Sequence, residues 1–506
     1  MNLAGARPQE VLRARRQLEY KWVVLINTTL GVFMASLDNS ILTISLPDIL
    51  RSINATVVEI MWVVMGYSLI ITALLLPFSR LADMKGRVKL FNLGFAIFTV
   101  SSALCGLSQT GSQLVAFRLL QGIGSALLLS NSVALLTDAF PLHERGSALG
   151  INMMMATTGF VMGIVAGGVI TEFLGWRYIF FINVPVGLFA AVWCYRKLHE
   201  TAELDDTARF DVPGIITFPL AISAILAALT LVTQGRWGEP ATNGLFLSGF
   251  ALLIVFLLIE RRAPEPMMDL MLFRIRLFWA GNSALFLNTL ARGATMFIMS
   301  WYFQAALGDP PVTAGLKMLP MALTMAVSAP IAGRLSDKLP SRELATVGLI
   351  GTAVAMLWMS TFPLHVSYPL LAVALVLIGA SNTFFNAPNT TAVMAAVPAQ
   401  RRGVAAGTRT LLLNTGQTMA IALTMAIVAT RMSYQTLVVL FSGATDGASL
   451  DAVAFMDGLH KVFLVSALMS VIAIVCSAMR GQEKGRLEKP AIEPAADERP
   501  ALVGVH

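Results

Sequence analysis

Three ionisable residues stand where a charge is costly: Asp38, Arg118 and Arg292 each lie inside a long apolar run. Charged side chains at such depth mark ion or substrate pathways by default. Burial disfavours an ionised carboxyl and a nearby cation favours it. An acid beside an arginine can therefore bind a proton in one setting and lose it in another. Asp38 sits about nine residues from the outer end of its run, roughly 13 Å at 1.5 Å per residue. Arg118 lies about six residues, or roughly 9 Å, from the same side. A long arginine side chain can span that difference. Two uses fit the pair: a proton carrier, or a static ion pair that holds two helices. Arg292 has no acid at its depth in the second half of the chain. It suits contact with a substrate or anion, or a structural contact with backbone carbonyls.

The elements that must hold these residues are long and apolar. The chain is 56% hydrophobic and 13% charged, with a mean hydropathy of +0.72. Such a composition leaves too little polar surface for water, so lipid is the expected solvent. Crossing it takes about 20 mostly apolar residues per helix. Fourteen runs qualify: 22–46, 59–79, 90–108, 114–140, 149–171, 177–195, 212–234, 244–260, 278–304, 313–334, 344–362, 369–396, 408–430 and 459–479. An all-α polytopic membrane protein follows. The basic start, with no short apolar core and cleavage site, predicts a first helix that stays as a span. Cys105, Cys194 and Cys476 fall inside spans and read as small apolar residues, and the five histidines sit at loops or ends, so no metal, haem or other cofactor is expected.

The formal charge of +7 is explained by where it sits. With an even number of spans, the clusters Arg80–Lys89, Arg196–Arg209, Arg261–Arg276, Arg334–Arg342, Arg401–Arg409 and Arg480–Arg499 share the side of the basic N-terminus. That bias predicts a cytoplasmic membrane location with both ends in the cytoplasm. It removes nucleic acid as the reason for the basic charge.

Two signals repeat along the chain. "SRLADMKGRVKL" from Ser79 has a counterpart in "GRLSDKLPSREL" from Gly333, with Asp83 and Asp337 offset by 254 residues. "PLHERGSALG" from Pro141 and "PAQRRGVAAG" from Pro398 share P-x-x-x-R-G-x-A-x-G at an offset of 257. Nearly equal offsets in unrelated signals indicate an internal duplication. Spans seven and eight belong to neither copy, so the architecture reads six, plus two, plus six. The segments are then 1–21 (a cytoplasmic lead), 22–200 (first bundle), 201–265 (the inserted pair), 266–480 (second bundle) and 481–506 (a charged, proline-containing tail that reads as disordered).

These residues resemble the major facilitator superfamily, and within it the fourteen-helix drug:proton antiporter branch of the EmrB/QacA type. Leu81, Ala82, Asp83, Gly86 and Arg87 are similar to its loop motif, and "LVAFRLLQGIGSA" with Arg118, Gln121, Gly122 and Gly124 to its fourth-helix motif. "LDNSILTISLP" with Asp38 and "WRYIFFINVP" are similar to the first- and sixth-helix signatures. Gly150, Gly159, Gly163, Gly167 and Gly168 fit the fifth-helix antiporter motif, with Ile164 where its proline stands.

The resemblance implies a proton-coupled exporter of hydrophobic or amphiphilic compounds, two rocking bundles, and a cavity lined by spans one, four, nine and twelve. Those spans carry Asp38 and Asn39, Arg118 and Gln121, Asn288 and Arg292, and Asn382 and Asn386. Phe384, Phe385 and Met153–Met155 suit either adaptable pocket contacts or plain packing. Counting Asp38, Arg118 and Arg292 together gives a cavity charge of +1, which favours neutral, zwitterionic or weakly acidic substrates over dications. Asp83, Gly86, Arg87 and Asp138, and Gly333, Asp337 and Lys338 in the second copy, suit a latch between helix ends across the seam; their cations also serve topology. Gly159, Gly163 and Gly167 share one helical face, which allows close helix packing; the resemblance adds a seal that favours exchange.

A dedicated exporter of one metabolite, lipid or siderophore is the competing transport reading. Some relatives of this type work with a periplasmic adaptor, and the long segment between Arg431 and Leu459 is where one could dock. An enzyme is disfavoured because no carboxylates, metal ligands or nucleophile–base pair share one depth. A sensor would need a soluble output domain, and the tail after Arg480 is instead short, charged and proline-containing and reads as disordered.

Overall fold

In lipid every backbone polar group needs a partner within the chain, and helices supply one residue by residue. The computed structural model describes residues 8–141, 144–200, 211–263, 266–398, 401–442 and 450–481. Its elements are α1 (Pro8–Ser52), α2 (Val57–Lys85), α3 (Arg87–Leu107), α4 (Gly111–Ala139), α5 (Arg145–Phe173), α6 (Tyr178–Phe181), α7 (Asn183–Lys197), α8 (Val212–Thr233) and α9 (Pro240–Glu260). After a short 3-10 turn follow α10 (Arg276–Arg292), α11 (Thr295–Trp301), a π-helical turn (Tyr302–Ala306), α12 (Pro311–Lys338), α13 (Ser341–Met359), α14 (Tyr368–Ala395), α15 (Arg402–Val428), α16 (Tyr434–Ser442) and α17 (Leu450–Ala478).

Thirteen of the expected spans are helices long and apolar enough to cross a membrane. The ninth, expected as one run over 278–304, is instead broken between α10 and α11 at Gly293 and Ala294. Glycine is the poorest helix former after proline, and a Cβ at Gly293 would lie 2.9 Å from that of Ala420 on α15. The glycine thus brings α15 close and weakens its own helix. With α10, α11 and the π turn counted as one crossing, fourteen remain. Many large apolar side chains face outward, among them Leu247 (74% exposed) and Ile254 on α9. Exposed apolar surface on this scale belongs in lipid.

We call the side where α1 begins and α17 ends the near face, and the other the far face. The far-face starts of α2 and α4 carry side-chain caps: Thr56 and Glu59 form a capping box at α2, Thr110 caps α4, and Glu59 also accepts from Ser112 at the start of α4 (2.5 Å). Within the first bundle, Gly159, Gly163 and Gly167 lay α5 against α1. Added Cβ atoms there would meet the carbonyl oxygens of Phe33, Leu37 and Ile41 at 2.6–2.7 Å. The spacing of four was legible as a packing face, and it is one here.

The bundles meet along two seams. On one, α5 touches α12 at the far face, where Gly168 abuts Pro311 and Gly315 abuts Ile164. Toward the near face a Cβ at Gly150 or Gly333 would meet nothing within 4 Å. On the other seam α2 meets α15, and the inserted α8 lies over both. Far-face bonds tie the bundles directly: Ser300 Oγ donates to Thr43 O (2.9 Å), Gln304 Nε2 to Ile44 O (2.8 Å), and Val312 N–H to Glu172 (2.9 Å). Between Arg431 and Leu459, where an adaptor surface was expected, α16 buries Leu437 and Phe441 against its own chain. Phe441 stacks on fully buried Trp301 at 3.8 Å between ring centroids.

Candidate functional site

Asp38 and Arg118 meet as their depths suggested. Both are 0% exposed, and Arg118 Nη1 donates to Asp38 Oδ2 at 2.5 Å. Gln121 Nε2 (2.9 Å) and Asn183 Nδ2 (3.0 Å) donate to the other carboxylate oxygen. Arg118 also donates to Gln121 Oε1 (2.6 Å) and through Nε to Val63 O (3.3 Å), while its guanidinium lies 4.1 Å above the Tyr67 ring. Gln121 reaches on to Ser102 (2.8 Å). The carboxylate therefore ties α1 to α4 and α7, and through Gln121 to α3. Two charges removed from water are tolerable only with such good geometry and added hydrogen bonds. Asn183, at the start of α7 beside the short α6, was not anticipated; "FINVP" shows a polar residue there but not its partner.

This cluster is sealed inside the first bundle, and that corrects the expectation of one shared cavity with a charge of +1. Asn39, the next residue, faces the space between the bundles, because successive helical positions point about 100° apart. That space forms a cavity of about 310 Å³, at the small end for ligand pockets. Ser36 and Asn39 of α1, Thr157 and Phe160 of α5, Met321 and Met325 of α12 and Gln417 of α15 line it. Arg292 and Gly293 enter at the helix break, so the break and the unpaired arginine coincide. A second cavity of about 150 Å³ shares Ser36, Asn39 and Gln417 and reaches Tyr67 on α2 and Leu129 on α4.

Other expected wall residues lie elsewhere. Gln121 belongs to the Asp38 cluster, and Asn288 and Phe385 are 0% exposed inside their bundles. Asn382 accepts from Asn386 Nδ2 at 2.6 Å, Phe384 is half-buried, and none of these three lines either cavity. Met153 and Met154 are exposed toward the near end of α5, away from the pocket. Arg409, expected in a loop-side cluster, is 8% exposed two turns into α15 and donates to Thr390 (2.5 Å) and Asn386 (3.4 Å). Ser36, Asn414 and Gln417 were missed; their only sequence signal was a polar residue at mid-helix.

The first charged loop is built as a tight clasp. Arg87 donates to Asp83 through Nε (3.0 Å) and Nη2 (2.8 Å) and to Asp138 through Nη1 (2.5 Å). Those bonds join the ends of α2, α3 and α4 within one bundle, so in this structure they do not cross the seam. Gly86 holds φ at +104°, where a side chain is strained, and Glu200 fits against it while accepting from Val88 N–H at the start of α3 (3.0 Å). In the second copy Gly333 and Lys338 are exposed and the side chain of Asp337 lies outside the described residues. Pro340 there is the N-cap of α13 at φ −57°, so no left-handed turn replaces Gly86.

Known proteins share this fold and family. The Major Facilitator Superfamily profile matches residues 28–271 and 282–502. The riboflavin transporter RibZ of Clostridioides difficile is 34% identical over 76% of this chain and 83% of its own. The multidrug resistance protein Stp of Mycobacterium tuberculosis is 31% identical, covering 81% and 76%. The crystal structure of a bacterial homologue of the human lysosomal transporter Spinster superposes with a TM-score of 0.64 at 18% identity, covering 91% of this chain and 97% of that one. Family profile, relatives and fold agree: the chain is a multi-pass membrane protein of the Major Facilitator Superfamily, a transporter and not an enzyme.

Proposed function

We propose that the protein is a proton-coupled antiporter that exports hydrophobic or amphiphilic compounds, antibiotics among them, across the cytoplasmic membrane. The observation that carries this reading is the Asp38 carboxylate, buried with three side-chain donors yet one residue away from the cavity wall at Asn39. Ionised, it neutralises Arg118 and holds four helices together. Protonated, it loses the charge that offsets Arg118, and the cluster relaxes. Because α5 is laid along α1, that change reaches the bundle seam. Switching then requires the far-face bonds of Ser300, Gln304 and Glu172 to break. The basic clusters support a near face, and both chain ends, in the cytoplasm. The clasp of Arg87 with Asp83 and Asp138 keeps the near ends of α2, α3 and α4 moving as one body. Similarity to Stp supports multidrug export.

Similarity to RibZ favours a second reading, a transporter dedicated to one metabolite. The test uses purified protein in liposomes with an imposed pH gradient, one neutral and one cationic dye, and wild type beside Asp38→Asn. Gradient-driven dye movement that the variant abolishes supports proton antiport through Asp38. Equal transport by both proteins overturns it. Resistance conferred against many unrelated compounds supports the multidrug reading; resistance to one supports the dedicated transporter.

A further inference from the structure

Among the described residues Arg118 has a counterion in Asp38, and Arg292 has none. Arg292 is the sole charged side chain lining the 310 Å³ cavity. No charged group faces it, and among the described residues no hydrogen-bond acceptor is bonded to it; its Nε is buried without a partner. Arg292 is half-buried, and an unpaired guanidinium partly withdrawn from water is costly; the groups around it are apolar or neutral. Phe160, Met296, Met321 and Met325 give the cavity an adaptable apolar wall, and Ser36, Asn39, Thr157 and Gln417 give it uncharged polar contacts. Arg292 is the last residue of α10, and it lines the cavity together with Gly293 at the break.

The geometry points to a substrate that brings the missing charge: an amphiphile with an aromatic or apolar body and a single carboxylate, or an equivalent ionised acidic hydroxyl, read by Arg292. A planar guanidinium matches a carboxylate with two parallel bonds, and the sulfur-rich wall accepts bodies of varied shape. Cationic amphiphiles are disfavoured by the same residue, since the Asp38 carboxylate is already committed to Arg118 inside the first bundle. The inference rests on the export reading for its biological sense, but its test does not use a gradient.

Binding of three probes with one naphthalene body is measured by calorimetry on the full chain in lipid nanodiscs, against empty nanodiscs: naphthylacetate, naphthylacetamide and naphthylethylammonium. Wild type should bind the carboxylate at least tenfold more tightly than the ammonium. Arg292→Gln should weaken the carboxylate at least tenfold while the amide stays within about threefold, which also shows that the variant is folded. Arg292→Lys should recover only part of the carboxylate affinity, because the charge returns without the fork. Ammonium binding as tight as the carboxylate overturns the inference, as does no measurable carboxylate binding. So does an equal loss of acid and amide in Arg292→Gln, which would make the arginine structural. Because binding is read at equilibrium, failure here leaves proton-driven transport standing, and failure of proton coupling leaves this result standing.

Discussion

Replacing Asp38 by Asn, Arg118 by Gln, and both together separates a proton carrier from a pair that only holds helices. In the single Asp38→Asn variant the buried guanidinium loses its counterion, and the new amide group must face donors from Arg118, Gln121 or Asn183. Breaking one side of a buried pair costs about 3–5 kcal/mol. The single Arg118→Gln variant leaves a buried carboxylate with two amide donors and a similar cost. The double variant removes both charges, so much of the loss returns, and the two sites should show a coupling of about 2 kcal/mol or more, near the upper range for contacting residues. Chemical unfolding in detergent micelles measures the stabilities, and gradient-driven transport in liposomes measures coupling. The expected pattern is recovered stability without recovered coupling. A double variant that transports under a gradient as wild type does would refute the carrier role, leaving the pair structural. Single variants within 1 kcal/mol of wild type would refute the buried-pair energetics.

The antiporter glycines should divide sharply. Gly163→Val forces a side chain against Leu37 O and should lower folded yield and stability by about 1–3 kcal/mol, whereas Gly150→Ala, which meets nothing within 4 Å, should be near neutral; size-exclusion profiles and unfolding midpoints read both. Gly86→Ala must adopt φ +104° and ψ 127° beside Glu200 and should cost about 1–3 kcal/mol, seen in the same unfolding assay. Gln304→Ala removes a bond across the far face worth about 1 kcal/mol, so labelling of Ala305→Cys by an impermeant maleimide in a cysteine-free background should quicken. An unchanged labelling rate would show that this bond does not hold the far face closed.

Much of the fold was legible because lipid imposes one requirement on every span, and apolar runs of the right length are hard to mistake. The Asp38–Arg118 pairing was legible too, since depth along a helix is a matter of counting residues. Azimuth is not. Whether residue 38 or 39 faces the cavity depends on how α1 rolls against α5, and that is decided by Gly159, Gly163 and Gly167 on a helix more than 100 residues away. The same limit hid Gln417 and Ser36 and misplaced Gln121 and Phe385. The break at Gly293 escaped notice because "ARGAT" is compatible with a continuous helix; only the close approach of Ala420 shows why the glycine is there. Glu200 seating against Gly86 is a contact over more than 100 residues, beyond the reach of any local pattern.

One helix bears on both partners of the transport cycle. α5 is bolted to α1 along one glycine face, and at Gly168 it rests on Pro311 of the opposite bundle. In the proposed cycle that far-face contact would act as a fulcrum. From it to Arg145 at the near end the helix runs for about 23 residues, or roughly 34 Å at 1.5 Å per residue. A tilt of about 10° over that arm swings the near end by roughly 6 Å, enough to change the passage beside Gly150 and Gly333 by the width of an aliphatic side chain. In the proposed cycle, small local rearrangements around Asp38, carried by α1 and its bolted partner, would arrive at the near face multiplied by leverage.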